Sequence, residues 1–289
     1  MTDPDRTDQH TALIVDSTAL LGPELVARTG AIVVPVTVTI DGVDHLDGVD
    51  IEADEFYRRM GGDDPPPVAT AQPAPGAFLD AYRRAAAAGA TSALAVLVGS
   101  AFSGTVDSAR LGAEASPIPV ECVDTGQASF GVGLCALEAA EALADGASPA
   151  DAAARARARS ASIESVFIVQ AIELARASGR FDGAGLSPSS EAIPVLRFAG
   201  GELTVTAEVD DLDAAVEAMA AAVVAGGRRI RVASGLADLA TKPVTDGLEQ
   251  RLDGHPLVAE LLRYRVGPAV AATVGPRPAR GVHQTHEKR

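Results

Sequence analysis

Residues 93–98 read Ala-Leu-Ala-Val-Leu-Val, wholly apolar, and Gly99-Ser100-Ala101-Phe102-Ser103-Gly104-Thr105 follows at once. A run that short and that apolar fits a strand buried on both faces, the condition of a parallel sheet covered by helices. Residues 106–114 then read as a helix. The same order occurs twice more. Residues 11–15 form a strand ending in Asp16-Ser17-Thr18, followed by a helix over 20–29 with Pro23 near its first turn and Gly30 past its end. Residues 119–123 form a strand ending in Asp124-Thr125, followed by a helix over 127–143. Strands alternating with helices predict a parallel sheet with helices on its faces. Ligands of such sheets lie beyond the carboxyl ends of the strands, where all three polar clusters fall.

The rest of the chain fills in an α/β fold of two domains. Residues 31–40 are β-rich, with Pro35 marking an edge or a bend. Asp41-Gly42 closes a hairpin onto 43–46. Helices are expected over 53–60, 77–88 and 149–160. The second half predicts a helix over 167–177 and a hairpin of 193–198 with 203–206 around Ala199-Gly200-Gly201-Glu202. A helix over 212–225, a strand over 230–233, a helix over 237–252 and strands over 261–267 and 269–274 follow. Residues 1–10 and 282–289 read as tails. The expected domains are 12–163, built on the parallel sheet, and 164–281, a second α/β domain with a hairpin-containing sheet.

Bulk properties narrow the function classes. Hydrophobic residues make up 47% of the 289, ample for a core. A net charge of −15 argues against nucleic acid and against more than transient contact with anionic membranes. Cys122 and Cys135 form no CxxC pair, and no His/Cys cluster has zinc spacing, so inert thiols in a reducing compartment are expected and no metal is. No apolar run reaches transmembrane length and residues 1–10 are polar, so a cytoplasmic location is expected. Arg155, Arg157 and Arg159, two apart on a helix, are expected on a solvated face.

No serine-nucleophile elbow and no P-loop is present, and no histidine is placed as a general base. No catalytic residue and no cofactor is therefore assigned. What remains is a set of neutral hydroxyls at a helix start, which can donate to an anion alongside the free N–H groups of the first turn. Ser103 as an N-cap and Ser100 as a turn residue is the purely structural alternative. Many small aliphatic residues can line an apolar pocket behind the hydroxyls, which suits a ligand with an anionic head and an apolar tail.

In order and spacing these pieces resemble the DegV family of fatty-acid-binding proteins. The resemblance rests on Ile14-Val15-Asp16-Ser17-Thr18, Asp47-Gly48-Val49-Asp50-Ile51, Glu55-Phe56-Tyr57, Thr70-Ala71-Gln72-Pro73, Ser103-Gly104-Thr105, Gly179-Arg180 and Gly275-Pro276. It implies a long-chain fatty acid in an apolar tunnel, its carboxylate held by Thr70 and Ser103. Supporting roles fall by position on Ser100, Thr105, Asp16, Ser17, Arg180 and Thr273. For some members it implies a lipid-carrying subunit that serves a separate ATP-binding fatty acid kinase without catalysing alone. This sequence departs from the pattern. Ala71 and Ala74 replace serines, Thr273 stands where a histidine is usual, and Glu208-Val209-Asp210 replaces basic residues, which counts against the kinase partnership. The competing expectation is an enzyme or binding protein for a small phosphorylated or carboxylated metabolite in the same crevice.

Overall fold

The computed structural model describes residues 10–62, 64–168, 192–200, 202–274 and 280–286. The chain opens with β1 (Thr11–Asp16), a 3-10 turn (Ser17–Ala19), α1 (Pro23–Thr29) and β2 (Ile32–Val34). Pro35 then ends β2, and the chain continues as β3 (Thr37–Ile40), β4 (Val43–Leu46), α2 (Ala53–Met60) and β5 (Val68–Ala71). Next come α3 (Pro75–Ala87), β6 (Ser92–Leu97), α4 (Thr105–Ala113), β7 (Val120–Asp124), α5 (Phe130–Ala144) and α6 (Pro149–Ser160). The remainder holds β8 (Ile163–Ile168), the hairpin β9 (Ile193–Ala199) and β10 (Glu202–Val209), α7 (Leu212–Val224), β11 (Ile230–Leu236), α8 (Lys242–Leu252), β12 (Val258–Arg265), α9 (Pro268–Val274) and β13 (Arg280–His286).

Two compact units result, one of residues 1–37 and 70–160, the other of 38–69 and 161–289. The sequence places the division at 163/164 and keeps 38–69 with the first domain; in the structure that segment groups with the second unit.

The first unit is the expected parallel sheet, in the order β2-β1-β6-β7. Ile14 pairs with Ile32 on one side and Ala95 on the other, and Ala95 pairs with Cys122. The central strands are buried on both faces, as their unbroken apolar sequence requires. Phe78, Ala81 and Tyr82 of α3 and Val106 and Ala109 of α4 pack with Ile14, Ala95 and Leu97. Helices α5 and α6 pack against one another and on the same strands. Arg159 departs from the expected solvated face: it is buried and pairs with Glu138, Nε to Oε2 at 2.8 Å. Cys122 and Cys135 are free, and burial raises both thiols, Cys135 to about 12. Both therefore remain protonated at neutral pH.

The second unit contains a six-stranded sheet, β10-β9-β8-β13-β11-β12, and most of the sheet β4-β3-β5, whose Thr37, Thr70 and Ala71 fall in the first unit. The β9–β10 hairpin is antiparallel, as predicted, with Leu203 opposite Phe198. Val216, Met219 and Val223 of α7 and Val244, Leu248 and Leu252 of α8 pack against Val166, Val195 and Val232.

Three expectations fail here. Residues 280–286, largely assigned to a tail, form an interior strand between β8 and β11. Their polar, glycine-containing sequence hides a strand that is fixed by two antiparallel neighbours. Residues 269–274, expected as a strand, are helical, because Pro268 has the backbone angle of a first helical position and alanine favours continuation. Phe167 and Ile168 end β8 rather than start a helix; residues 169–177 of that expected helix lie outside the described ones.

On α2, Tyr57 is buried, and its hydroxyl has no hydrogen-bond partner among the described residues. Its ring meets the edge of Phe56 at 5.7 Å and lies under the Arg265 guanidinium at 5.2 Å. Burial raises the phenol pKa despite Arg265, so the group stays an O–H with nothing to donate to. Tyr57→Phe keeps both ring contacts and removes the unsatisfied group. It is expected to stabilise the protein by up to about 1 kcal/mol in urea unfolding. Destabilisation would mean that the hydroxyl is satisfied after all.

Candidate functional site

The carboxyl ends of β1, β6 and β7 lie side by side in the first unit, and each ends in one of the polar clusters singled out in the sequence. Hydrogen bonds tie them together. Asp16 is fully buried at the end of β1; Oδ2 accepts from the Val98 amide (2.8 Å) and Oδ1 from the Thr18 amide (3.0 Å) and the Thr18 hydroxyl. Its carboxyl pKa is raised by burial, which the hydrogen bonds from Thr18 and Val98 do not offset. Asp16 is thus a brace between two strand ends. Ser17 is also employed internally, its Oγ accepting from the Val36 amide at 3.1 Å.

Beyond β6 the chain turns through residues 99–104 into α4. The Gly99 amide donates to the Gln127 carbonyl (2.8 Å), and the Ser100 amide donates to Asp124 Oδ1 (3.1 Å). A methyl group on Gly99 would stand 2.7 Å from Gly126 Cα, so two backbones touch where β6 and β7 end. Asp124 also accepts from the Gly126 amide at 3.0 Å. Partial burial alone would raise its pKa; the hydrogen bonds from Ser100 and Gly126 outweigh that, and the carboxyl sits below its ordinary value. Ser103 is half-buried, its Oγ 2.7 Å from the buried Thr105 Oγ1. Ser100 is exposed, as is the neighbouring Phe102.

Thr70 is exposed on β5, and the segment that follows reaches this loop. Gln72 Nε2 donates to Ser108 Oγ of α4 at 3.2 Å, and the same side chain fills the space over Gly104. The structure thereby brings Ser100, Ser103 and Thr105 into one loop with Asp16 and Ser17 bracing its neighbours, and anchors the Thr70 segment to it. Thr273 belongs to the second unit, exposed on α9 with its hydroxyl donating to the Val270 carbonyl at 2.7 Å. Arg180 lies outside the described residues. Gln72 was missed as a contributor; its place in Thr70-Ala71-Gln72-Pro73 was the available signal. Among the described residues no cluster of three or more His, Cys, Asp or Glu could hold a metal ion, and no helix is long and apolar enough to cross a membrane.

The DegV family profile, described as one of uncharacterised proteins, matches residues 10–282. The chain belongs to the DegV family. A DegV domain-containing protein of Streptomyces coelicolor is 32% identical over 277 residues, covering 93% of this chain and 96% of that one. One of Mycobacterium tuberculosis is 31% identical over 271 residues, covering 91% and 93%. Among solved structures, a Thermus thermophilus DegV protein described by its fatty acid binding superposes with a TM-score of 0.84 at 29% identity, covering 96% of this chain and all of that one. The parallel sheet and its companion unit are thus the DegV fold.

Proposed function

We propose that this DegV protein binds one long-chain fatty acid, with the carboxylate held by the Thr70 and Ser103 hydroxyls and the acyl chain in an apolar tunnel. The observation that carries this reading is the hydroxyl loop at the end of β6, in a chain similar over its whole length to a DegV protein described by its fatty acid binding. Thr105, hydrogen-bonded to Ser103, orients that hydroxyl. The Ser100 amide and side chain both engage Asp124, so Ser100 holds the loop in shape rather than adding a second donor. The reading makes the protein a carrier rather than a catalyst: Ser103 is hydrogen-bonded to the neutral Thr105 hydroxyl rather than to a base, an arrangement that binds an anion but does not activate a nucleophile.

Service to a fatty acid kinase is a finer proposal. It supposes that a separate ATP-binding subunit reaches the carboxylate, and Glu208 and Thr273, where basic groups are usual, weaken recognition of a phosphorylated head. The test is native mass spectrometry of the purified protein with lipid extraction. One fatty acid per chain supports the reading; a co-purified phosphorylated metabolite, or failure to take up added fatty acid, refutes it. Ser103→Ala is expected to weaken binding by roughly tenfold to a hundredfold, the loss of one hydrogen bond to a charged carboxylate worth about 1.5–3 kcal/mol. Titration calorimetry measures it, and complete loss of binding would contradict this division between head and tail.

A further inference from the structure

We infer that Gln72 is a positioning residue for the hydroxyl pair, acting through a fit between its amide and Gly104; this rests on the fatty-acid reading above. Thr70 and Ser103 lie on separate segments, and neither can set the spacing of the pair alone. Gln72 follows Thr70 by two residues, and Gly104 follows Ser103 directly. Between these neighbours the contact is specific in two ways. Gln72 Nε2 donates to Ser108 Oγ at 3.2 Å, one turn into α4 from the loop. A Cβ on Gly104 would stand 2.8 Å from Nε2 and 2.9 Å from Cδ of Gln72, closer than a carbon tolerates, and closer still to Oε1. With glycine at 104 the Gln72 amide takes this space and reaches Ser108; a Cβ at 104 would make the amide shift from it.

Ser108 is buried, so its hydroxyl is a fixed anchor. The loop itself is locked on its other side by the Gly99–Gln127 and Ser100–Asp124 bonds. Gln72 is therefore the link that carries the rigidity of this loop across to the strand that bears Thr70. In this chain the glycine of Ser103-Gly104-Thr105 is the socket for Gln72.

The experiment compares the wild type with Gln72→Ala, Gly104→Ala and the double substitution. Oleic acid binding is followed by titration calorimetry, and amide hydrogen exchange is followed in the lipid-free protein. Gln72→Ala is expected to weaken oleic acid about tenfold and to speed exchange over residues 99–105 by about tenfold, leaving α5 unchanged. Gly104→Ala is expected to displace the amide and cost a similar factor. The double substitution is expected to match Gln72→Ala within about twofold, because both changes remove one contact. Losses that multiply in the double variant would overturn the socket, and unchanged exchange over 99–105 in Gln72→Ala would overturn the positioning role. Gln72→Ala carries the test by itself should Gly104→Ala fold poorly. A wild type that takes no oleic acid while Gln72→Ala still loosens the loop would refute the fatty-acid reading and leave the positioning role standing.

Discussion

Asp16→Asn is expected to lower the stability of the first unit by about 2 kcal/mol, the cost of leaving a buried backbone N–H against an amide NH₂. Both carboxylate oxygens act as acceptors in the native structure, Oδ2 for the Val98 amide and Oδ1 for the two Thr18 donors. Asparagine has one acceptor oxygen. Whichever way its side chain turns, a buried donor meets another donor. Because Val98 closes β6 and Thr18 sits in the turn after β1, the loss falls where the two strand ends are held together. In thermal unfolding the first unit's transition should drop by roughly 5 °C. A variant as stable as the wild type would show that the carboxylate is not a brace.

The pH dependence of the same variant has a definite sign. Burial raises the Asp16 carboxyl above its ordinary value in the folded protein, against the pull of its hydrogen bonds. The folded state then holds this proton more tightly than the unfolded chain does. The stability contributed by protonation is fully present below the unfolded value, about 3.9, and is lost as pH rises through the higher folded value. Asparagine does not titrate. The stability gap between wild type and Asp16→Asn should therefore be widest in acid and narrow as pH rises through that window. A gap that widens with pH would mean that the donors from Thr18 and Val98 win over burial.

The parallel sheet was legible because three of its four strands are short, largely apolar and followed by a polar cluster and a helix; the pattern is local, and so is its physical cause. The hairpin of β9 and β10 was legible for the same reason, through Gly200-Gly201 between β-rich runs. Non-local packing was not legible. The strand β13 is polar and gains its conformation from β8 and β11 on either side, which no window of sequence contains. Arg159 looked like one of three splayed arginines, and only the fold brings Glu138 to it. At the candidate site, the hydroxyls could be named from the sequence, but their fixing could not. Asp16 read as a possible ligand group, yet the amide that claims it, Val98, lies just past the end of another strand. Gln72 and Gly104 are unremarkable residues until they are seen to occupy one space.

On the fatty-acid reading, tail length should change affinity far more than any single head-group substitution. Each methylene buried contributes about 0.8 kcal/mol. Decanoic acid in place of hexadecanoic acid therefore forfeits roughly 5 kcal/mol, or a factor between about a thousand and ten thousand in affinity. Ser103→Ala forfeits about 1.5–3 kcal/mol, a factor of roughly ten to a hundred. The two effects act on separate parts of the ligand, so the Ser103→Ala factor should be the same for both acids. Competition binding across a series of saturated acids measures both at once. A flat dependence on chain length, joined to a large loss in Ser103→Ala, would mean that the hydroxyl loop itself supplies the affinity. The ligand would then be a small carboxylated or phosphorylated metabolite, and the fold would be shared with the fatty-acid binders without their cargo. A steep dependence that levels off at one length would instead measure the depth of the tunnel, since methylenes beyond its end stay in water and add nothing.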